Sequence, residues 1–325
     1  MLFIVYLSYL KRKLSSVIFN DTFPETLSYI QYTHIIGGKD MRLNFQYILA
    51  FICSVLTILT VTTPNSPTEI HTNYLQVTPD GIIQKEKNTD IGTALKIAQI
   101  SDLHIKESLD LSQFLSSIEL LKKEEPDLIC FTGDFFDANN IYSKDTTPIV
   151  EALQSLTPPY GKFAVLGNHD TTKKLGNKSL DILVKGGFTV LQDDKVEFTF
   201  QGEPIVIAGI SSVLAPTSTR NILDTLTPDK LNILLVHEPD IILALTDYPI
   251  QLQLSGHTHG GQIKFKNKPI TTPPLGEKYV DGPYKINDTL LNVNIGIGYS
   301  RMNIRLNCPS TIDFLYLNPL DFTKK

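Results

Sequence analysis

The feature that most constrains the fold is a repeated pattern, in which a short apolar segment runs directly into a polar cluster. Five such segments are predicted to be strands: residues 95–100, 128–131, 162–166, 231–236 and 250–254. In residues 250–254 apolar residues alternate with glutamines, and this pattern predicts a strand with one buried face. Helical spacing of apolar residues predicts helices in 111–121, 147–156 and 179–185. Residues 196–200 and 205–210 are predicted to form a hairpin. The alternation of predicted strands and helices along the chain is typical of an α/β fold.

Each predicted strand is followed by a residue able to bind a metal, namely Asp102, Asp134, Asn168, His237 and His257. In α/β sheets the ligand crevice lies at the carboxyl ends of the strands, so we expect these side chains to converge. The chain has seven histidines. Five of them lie in these clusters, which scattered surface histidines would not produce: His104, His169, His237, His257 and His259.

The chemistry of this set predicts two divalent metal ions. Carboxylate and carboxamide oxygens mixed with imidazoles suit Mn²⁺, Fe or Zn²⁺, and there are too many of them for one tetrahedral zinc. Two ions about 3.5–4 Å apart can hold a bridging hydroxide and clamp a phosphoryl group, with Asp134 as the bridging carboxylate. His169 is predicted to move a proton and Asp170 to orient it, although Asp170 as a solvated loop carboxylate is the alternative.

Composition excludes some functions. The formal net charge is −5 and no basic stripe is present, which argues against a nucleic-acid partner. None of the three cysteines lies in a CxxC pair, so neither a disulfide framework nor a thiolate metal site is indicated.

The N-terminal region is predicted to anchor the chain in a membrane. Residues 45–61 are mostly apolar, lysines and arginines precede them, and none occurs in 62–81. The positive-inside rule then places residues 1–44 in the cytoplasm and the following domain outside. A buried core helix is the alternative interpretation of residues 45–61. A separate hypothesis is that the true translation start is Met41. We predict a linker at 62–88, because of its prolines, and a catalytic domain at 89–325.

Taken together, the motifs resemble the calcineurin-like metallophosphoesterase superfamily over about residues 94–317. The matching motifs are Asp-Leu-His at 102–104, Gly-Asp at 133–134, Gly-Asn-His-Asp at 167–170, His237 and Gly-His-Thr-His at 256–259. Within the superfamily the chain is similar to a bacterial, often membrane-associated branch with YkuE-like proteins and lipid A-pathway pyrophosphatases. It departs from that branch at 210–212, where Ile-Ser-Ser stands in place of acidic residues.

The resemblance implies a four-layer sandwich of two mixed β-sheets flanked by helices. It implies that Asp102, His104, Asp134 and His259 bind one metal, and that Asp134, Asn168, His237 and His257 bind the other. It also implies that Asn168 touches the phosphate and that His169 protonates the leaving oxygen.

The expected function is hydrolysis of a small or lipid-linked phosphate ester or pyrophosphate by a membrane-anchored enzyme, with Mn²⁺ as the favoured metal. A hydrolase similar to UDP-2,3-diacylglucosamine pyrophosphatases is one alternative. A non-catalytic metal-binding scaffold on the same fold is another, and the presence of His169 argues against it, because a scaffold can dispense with a proton donor.

Overall fold

Two mixed β-sheets form the centre of the fold in the computed structural model, which describes residues 69–89, 91–107, 111–175, 177–215, 220–300 and 302–323. The first sheet contains β1 (Ile70–Thr78), β2 (Gly81–Lys85), β3 (Leu95–Ile100), β4 (Leu128–Phe131), β5 (Lys162–Ala164), β6 (Thr189–Val190) and β15 (Ser310–Leu317). Their spatial order is β2–β1–β15–β3–β4–β5–β6, and β3 to β6 run parallel. The carboxyl ends of β3, β4 and β5 therefore meet at one edge.

The second sheet contains β7 (Asp194–Phe200), β8 (Glu203–Ile210), β9 (Leu231–Val236), β10 (Leu252–Ser255), β13 (Gly282–Ile286) and β14 (Thr289–Val293). Its order is β13–β14–β10–β9–β8–β7, with β8, β9, β10 and β14 parallel. The predicted hairpin is confirmed as β7 and β8, which pair antiparallel. A separate two-stranded hairpin consists of β11 (Lys264–Phe265) and β12 (Lys268–Pro269).

Helices cover the outer face of the first sheet. They are α1 (Ser112–Glu124), α2 (Thr147–Gln154) and α3 (Lys178–Lys185), and a short α4 (Leu320–Thr323) lies near the C-terminus. In α1 the buried Phe114, Ile118 and Leu121 lie on one face because they are spaced by one helical turn. Glu125 ends the helix in the left-handed conformation, with its N–H bonded to the carbonyl of Leu121.

The apolar core has three layers that follow from this arrangement. Apolar side chains of both sheets pack between them, as the alternate residues Leu231, Ile233 and Leu235 of β9 illustrate. The remaining apolar residues of β9, Leu234 and Val236, face outward against the 3₁₀ segments Asn221–Thr225 and Pro239–Ala244. The outer layer of the second sheet is therefore built from 3₁₀ turns, whereas the first sheet carries the α-helices.

The linker prediction for 62–88 is wrong where the structure describes that segment. Ile70–Thr78 and Gly81–Lys85 are strands of the first sheet, and β1 pairs in parallel with β15 near the opposite end of the chain. Tyr74, Leu75 and Val77 are buried there. Pro79 lies in the turn between β1 and β2, so one of the prolines that suggested a linker marks a tight turn instead.

The prediction of one buried face for β10 is also wrong, because both faces are covered. Gln253 is fully buried and its amide donates to the Ser255 hydroxyl and to the Pro239 carbonyl. The Gln253 amide therefore finds its hydrogen-bond acceptors inside the protein instead of in solvent.

The segments predicted as a cytoplasmic extension and an anchor, 1–44 and 45–61, lie outside the described residues. Within the described part of the chain, no helix combines the length and apolar character needed to cross a membrane.

Candidate metal centre

The predicted ligands lie in loops that leave the carboxyl ends of β3, β4, β5, β9 and β10. Backbone hydrogen bonds join these loops to one another: the Asp102 N–H donates to the Gly133 carbonyl at 2.9 Å, and the Gly256 N–H donates to the His237 carbonyl at 3.0 Å. Both sheets therefore contribute side chains to one edge of the sandwich, as expected for an α/β crevice.

Asp102, His104 and His259 form the first group. The Nε2 atoms of His104 and His259 lie 3.0 Å apart, and Asp102 Oδ1 lies 3.3 Å from His259 Nε2. The other carboxylate oxygen of Asp102 accepts hydrogen bonds from the Ser101 hydroxyl at 2.6 Å and from the His257 N–H at 3.0 Å. One oxygen thus fixes the carboxylate, and the second faces the two imidazoles.

Asp134 lies between this group and His237. Its Oδ2 is 3.4 Å from His104 Nε2 and 3.3 Å from His237 Nε2, while its Oδ1 accepts the His169 N–H at 2.8 Å. Burial alone would raise the pKa of Asp134, but the neighbouring His237 and His104 hold it well below its usual range. An ionised oxygen facing both histidines has the placement that a bridging ligand needs.

Hydrogen bonds to backbone carbonyls determine which ring nitrogen of His237 and of His257 can bind a metal. His237 Nδ1 lies 2.7 Å from the Thr132 carbonyl, and His257 Nε2 lies 2.9 Å from the Pro274 carbonyl. Because a carbonyl only accepts, each of these nitrogens carries the proton. His237 Nε2 and His257 Nδ1 are then left with lone pairs for a metal, the arrangement in which a backbone carbonyl orients a ligating imidazole.

Buried polar atoms without partners test whether the site fits metal ions. Asp102 Oδ1, Asn168 Oδ1 and His237 Nε2 are buried and have no hydrogen-bond partner among the described residues. Such atoms are costly unless something else satisfies them. Ligand atoms lie within 4.8 Å of one another in Asp102–His104–His259 and in Asp102–Asp134–His237. These donors are hard oxygens and imidazoles, so the site fits divalent metal ions.

Five of the seven predicted ligands adopt a left-handed backbone conformation. A positive φ costs an ordinary residue roughly 1 kcal/mol, less for Asp and His, and such strain concentrates at functional sites. The strained ligands and their φ angles are Asp102 (49°), His104 (43°), Asp134 (61°), His257 (73°) and His259 (51°).

Two glycines are required because the ligand loops approach so closely. A Cβ at Gly256 would lie 1.9 Å from Ser101 Oγ and 2.4 Å from Asp102 Oδ2. A Cβ at Gly167 would lie 2.1 Å from Asp134 Oδ1. Any side chain at either position would displace a predicted metal ligand.

The predicted role of Asp170 in orienting His169 is wrong. Its Oδ2 accepts the backbone N–H groups of Asp134 at 2.8 Å and Gly167 at 3.0 Å, and its Oδ1 accepts from Phe135 N–H at 2.9 Å and Ser179 Oγ at 2.6 Å. The solvated alternative is wrong too, because Asp170 is buried. The carboxylate instead ties the β4 loop to the β5 loop.

His169 lies beside the predicted ligands and lines the cleft. Its ring is edge-on to that of His104, with centroids 4.6 Å apart, and its Nδ1 accepts the Ala138 N–H at 3.2 Å. The ring proton therefore sits on Nε2. Burial lowers the pKa of His169, although the charge of Asp134 opposes this. A His169 nitrogen also lies within 4.8 Å of ligand atoms of His104 and Asp134.

Two neighbours were missed as site residues. Asp137 is buried, with Oδ2 3.9 Å from His104 Nδ1 and 3.4 Å from Lys106 Nζ. In the sequence, the only indication that Asp137 belongs to the site was its position three residues after Asp134. Arg305 donates to the carbonyls of Ile295 and Gly298 and lies 3.2 Å from His259 Nδ1. Burial, with Arg305 contributing, lowers the pKa of His259 well below its usual range, which keeps that imidazole neutral.

The metal-facing side chains open into a cleft of about 360 Å³. Asn168, His169, His257 and His259 lie in its wall together with Asp134. The cleft is also lined by apolar residues and by polar ones such as Thr271, Thr272 and Ser300; the apolar residues are Leu214, Ile263, Ile270, Pro273, Pro274 and Met302.

Comparison with known proteins agrees with this geometry. The family model described as calcineurin-like phosphoesterase matches residues 95–261. The chain is 38% identical over 213 residues to the uncharacterized metallophosphoesterase YkuE of Bacillus subtilis, covering 65% of this chain and 74% of that protein. It is 27% identical over 245 residues to phosphodiesterase YaeI of Escherichia coli, covering 70% and 84%. It is 28% identical over 261 residues to UDP-2,3-diacylglucosamine pyrophosphatase LpxG of Chlamydia muridarum, covering 63% and 78%. The chain therefore belongs to the calcineurin-like phosphoesterase family and is a phosphoester hydrolase.

Proposed function

We propose that the protein is a dinuclear metal-dependent phosphoesterase that hydrolyses a phosphate ester or a pyrophosphate. Asp102, His104, Asp134 and His259 hold one ion, and Asp134, Asn168, His237 and His257 hold the other. The observation that carries this proposal is the position of Asp134 Oδ2, 3.4 Å from His104 Nε2 and 3.3 Å from His237 Nε2. Mn²⁺ is the favoured ion, with Fe and Zn²⁺ as alternatives, because the donors mix carboxylates with imidazoles.

The residues of the chain have separate tasks in this proposal. When bound, the ions supply Lewis-acid activation of water and neutralise charge on the phosphoryl group. Asn168 lies in the cleft wall, where its side chain orients a phosphoryl oxygen. His169 offers its Nε2 proton to the leaving oxygen as the general acid. Full proton transfer requires a second proton on Nδ1, which would displace the hydrogen bond from Ala138 N–H.

The substrate that fits best is a phosphate ester or pyrophosphate linked to a lipid. The apolar residues that line the cleft support this, because an inorganic or sugar phosphate offers them no apolar surface to contact. The chlamydial relative is named a UDP-2,3-diacylglucosamine pyrophosphatase, and the substrate in that name belongs to the same chemical class. We propose further that residues 45–61 anchor the protein and that the catalytic domain faces outward, on the basis of the charge asymmetry around that segment.

The test is a pair of variants assayed on the Mn²⁺-loaded protein. His169→Gln keeps a hydrogen-bond donor but cannot transfer a proton, so hydrolysis of alkyl phosphate esters should fall by about 10²–10⁴-fold. Hydrolysis of nitrophenyl esters should fall much less, because that leaving group departs without protonation. His71→Gln, on the exposed face of β1, is the matched control and should retain both rates.

Two outcomes would contradict the proposal. Equal losses on both ester types at full metal content would remove His169 as the acid. Wild-type protein that binds metal but hydrolyses no ester or pyrophosphate would favour the scaffold alternative.

A further inference from the structure

Exposed apolar side chains surround the mouth of the metal cleft. Five of the ten large apolar residues that are strongly exposed in the described part of the chain lie here. Scattered exposed apolar residues are ordinary, but such clustering beside a functional cleft marks an interaction surface. We call these residues the cleft rim: Leu214 (45% exposed), Phe265 (69%), Ile270 (69%), Met302 (53%) and Ile304 (44%).

Hydrogen bonds show that most of the rim is one surface. The Lys264 N–H donates to the Leu306 carbonyl at 2.9 Å, which sets the β11–β12 hairpin beside the 302–306 segment. The amide of Gln262 donates to the carbonyls of Met302 and Ile304. Leu214, Ile270 and Met302 also line the cleft itself, so the rim is continuous with the metal centre.

The charge of the rim is opposite to that of the whole chain. The chain has a formal net charge of −5, yet residues 262–274 and 302–308 contain no acidic residue and carry Lys264, Lys266, Lys268 and Arg305. Lys264 is paired with Asp281, and Arg305 donates to backbone carbonyls. Lys266 and Lys268 remain exposed at the hairpin tip, with Lys266 Nζ 5.7 Å from the centre of the Phe265 ring.

We propose that the cleft rim docks on an anionic lipid bilayer, and this rests on the proposed function. Phe265 and Ile270 enter the interface, and Lys266 and Lys268 meet the lipid phosphates. This combination of apolar and basic groups is typical of interfacial membrane binding. A two-stranded hairpin tip is small for a protein partner, since a stable protein interface needs roughly 800 Å² per side. Docking would hold the cleft mouth against the headgroup layer, where a lipid-carried phosphate ester is presented.

The absence of tryptophan from the chain provides a direct test. Phe265→Trp in the full chain introduces a single tryptophan at the rim. Val184→Trp is the matched control, because Val184 is also an exposed apolar residue (54%) but lies on α3. Both variants are reconstituted with vesicles of phosphatidylcholine, with and without phosphatidylglycerol, and with a spin-labelled lipid as quencher. The comparison of the two variants is valid whether or not residues 45–61 insert into the bilayer, because only docking of the rim brings the tryptophan at position 265 into the lipid.

We expect a blue shift and lipid quenching for Phe265→Trp in anionic vesicles only, and neither for Val184→Trp. Each lysine near an anionic surface contributes about fivefold, so adding Lys266→Gln and Lys268→Gln should weaken docking by roughly 25-fold. Equal quenching at the two positions, or equal docking on neutral vesicles, would overturn the proposal. A blue shift without vesicles that grows with protein concentration would instead identify a second copy of the chain as the occupant.

This readout requires no turnover, so the two proposals fail separately. Docking by a protein that hydrolyses no ester would contradict the proposed function and leave the surface assignment standing. Turnover of a soluble nitrophenyl ester without docking would contradict only the inference drawn from the rim.

Discussion

Gly256→Ala should damage the metal centre through a steric displacement that can be worked out from the structure. The added Cβ would lie 2.4 Å from Asp102 Oδ2 and 1.9 Å from Ser101 Oγ. Ordinary contact begins at 3.4 Å, so the carboxylate oxygen must move by about 1 Å. Ser101 and Asp102 are fully buried and have little room to move. Overpacking of this kind costs about 1–3 kcal/mol of folding free energy.

The displacement should also weaken metal binding, because Asp102 is a proposed ligand. Disturbing the groups that position a ligand typically lowers metal affinity by about 10–100-fold. The free energy of unfolding is measured by urea denaturation with chelator, and metal affinity by calorimetric titration with Mn²⁺. Gly202→Ala is the matched control. Gly202 has φ 86° and open space around its Cβ position, so alanine there should cost roughly 1 kcal/mol and leave metal affinity unchanged.

The reasoning would be refuted if Gly256→Ala bound both ions with wild-type affinity. That result would mean that Asp102 can move freely or is not a ligand. Equal loss of affinity in Gly202→Ala would show that the assay reports general destabilisation.

Three further predictions concern the site and the membrane topology of the chain. Asp170→Asn would turn an amide NH₂ toward backbone N–H donors, so we expect a loss of about 1–3 kcal/mol in urea unfolding and weaker metal binding. Asp127→Asn, which can still accept from the Lys96 N–H, is the control and should change little. Metal affinity should fall with decreasing pH: burial lowers the pKa of His237, but Asp134 and Asp102 outweigh it and raise that pKa well above its usual value. Below that raised pKa the metal-free imidazole carries a proton that a metal must displace, which costs about tenfold in affinity per pH unit and is measured as proton release in calorimetry. Constant affinity between pH 6 and 8 would contradict this. A reporter fused after Lys325 should be active only on the extracytoplasmic side, and cytoplasmic activity would overturn the proposed topology.

Local patterns predicted the strands and helices that hold the site. Residues 95–100, 128–131 and 231–236 are strands with the predicted bounds, since short, mostly apolar runs are typical of buried parallel strands. The same strands place the predicted ligand loops at one edge, because parallel strands end together.

Features that depend on distant partners were not predictable. β1 was assigned to a linker because of the prolines in 62–88. Its partner, β15, lies about 240 residues later in the chain, and no local pattern indicates that pairing, in which Asn73 bonds Asp313. The role of Asp170 was misassigned for a similar reason, since it is defined by N–H groups from a loop 34–36 residues earlier. Arg305 reaches His259 from 46 residues away, and no pattern at either position indicates that contact.

The most direct test of the central claim is the metal content of the Mn²⁺-loaded protein, measured by elemental analysis after exhaustive desalting. We predict two equivalents per chain, because Asp134 faces His104 and His237 with one ionised oxygen. Asp134→Asn should lower occupancy of both sites, and His257→Ala should mainly empty one. One equivalent or none in the wild-type protein, or full occupancy in Asp134→Asn, would contradict the dinuclear account.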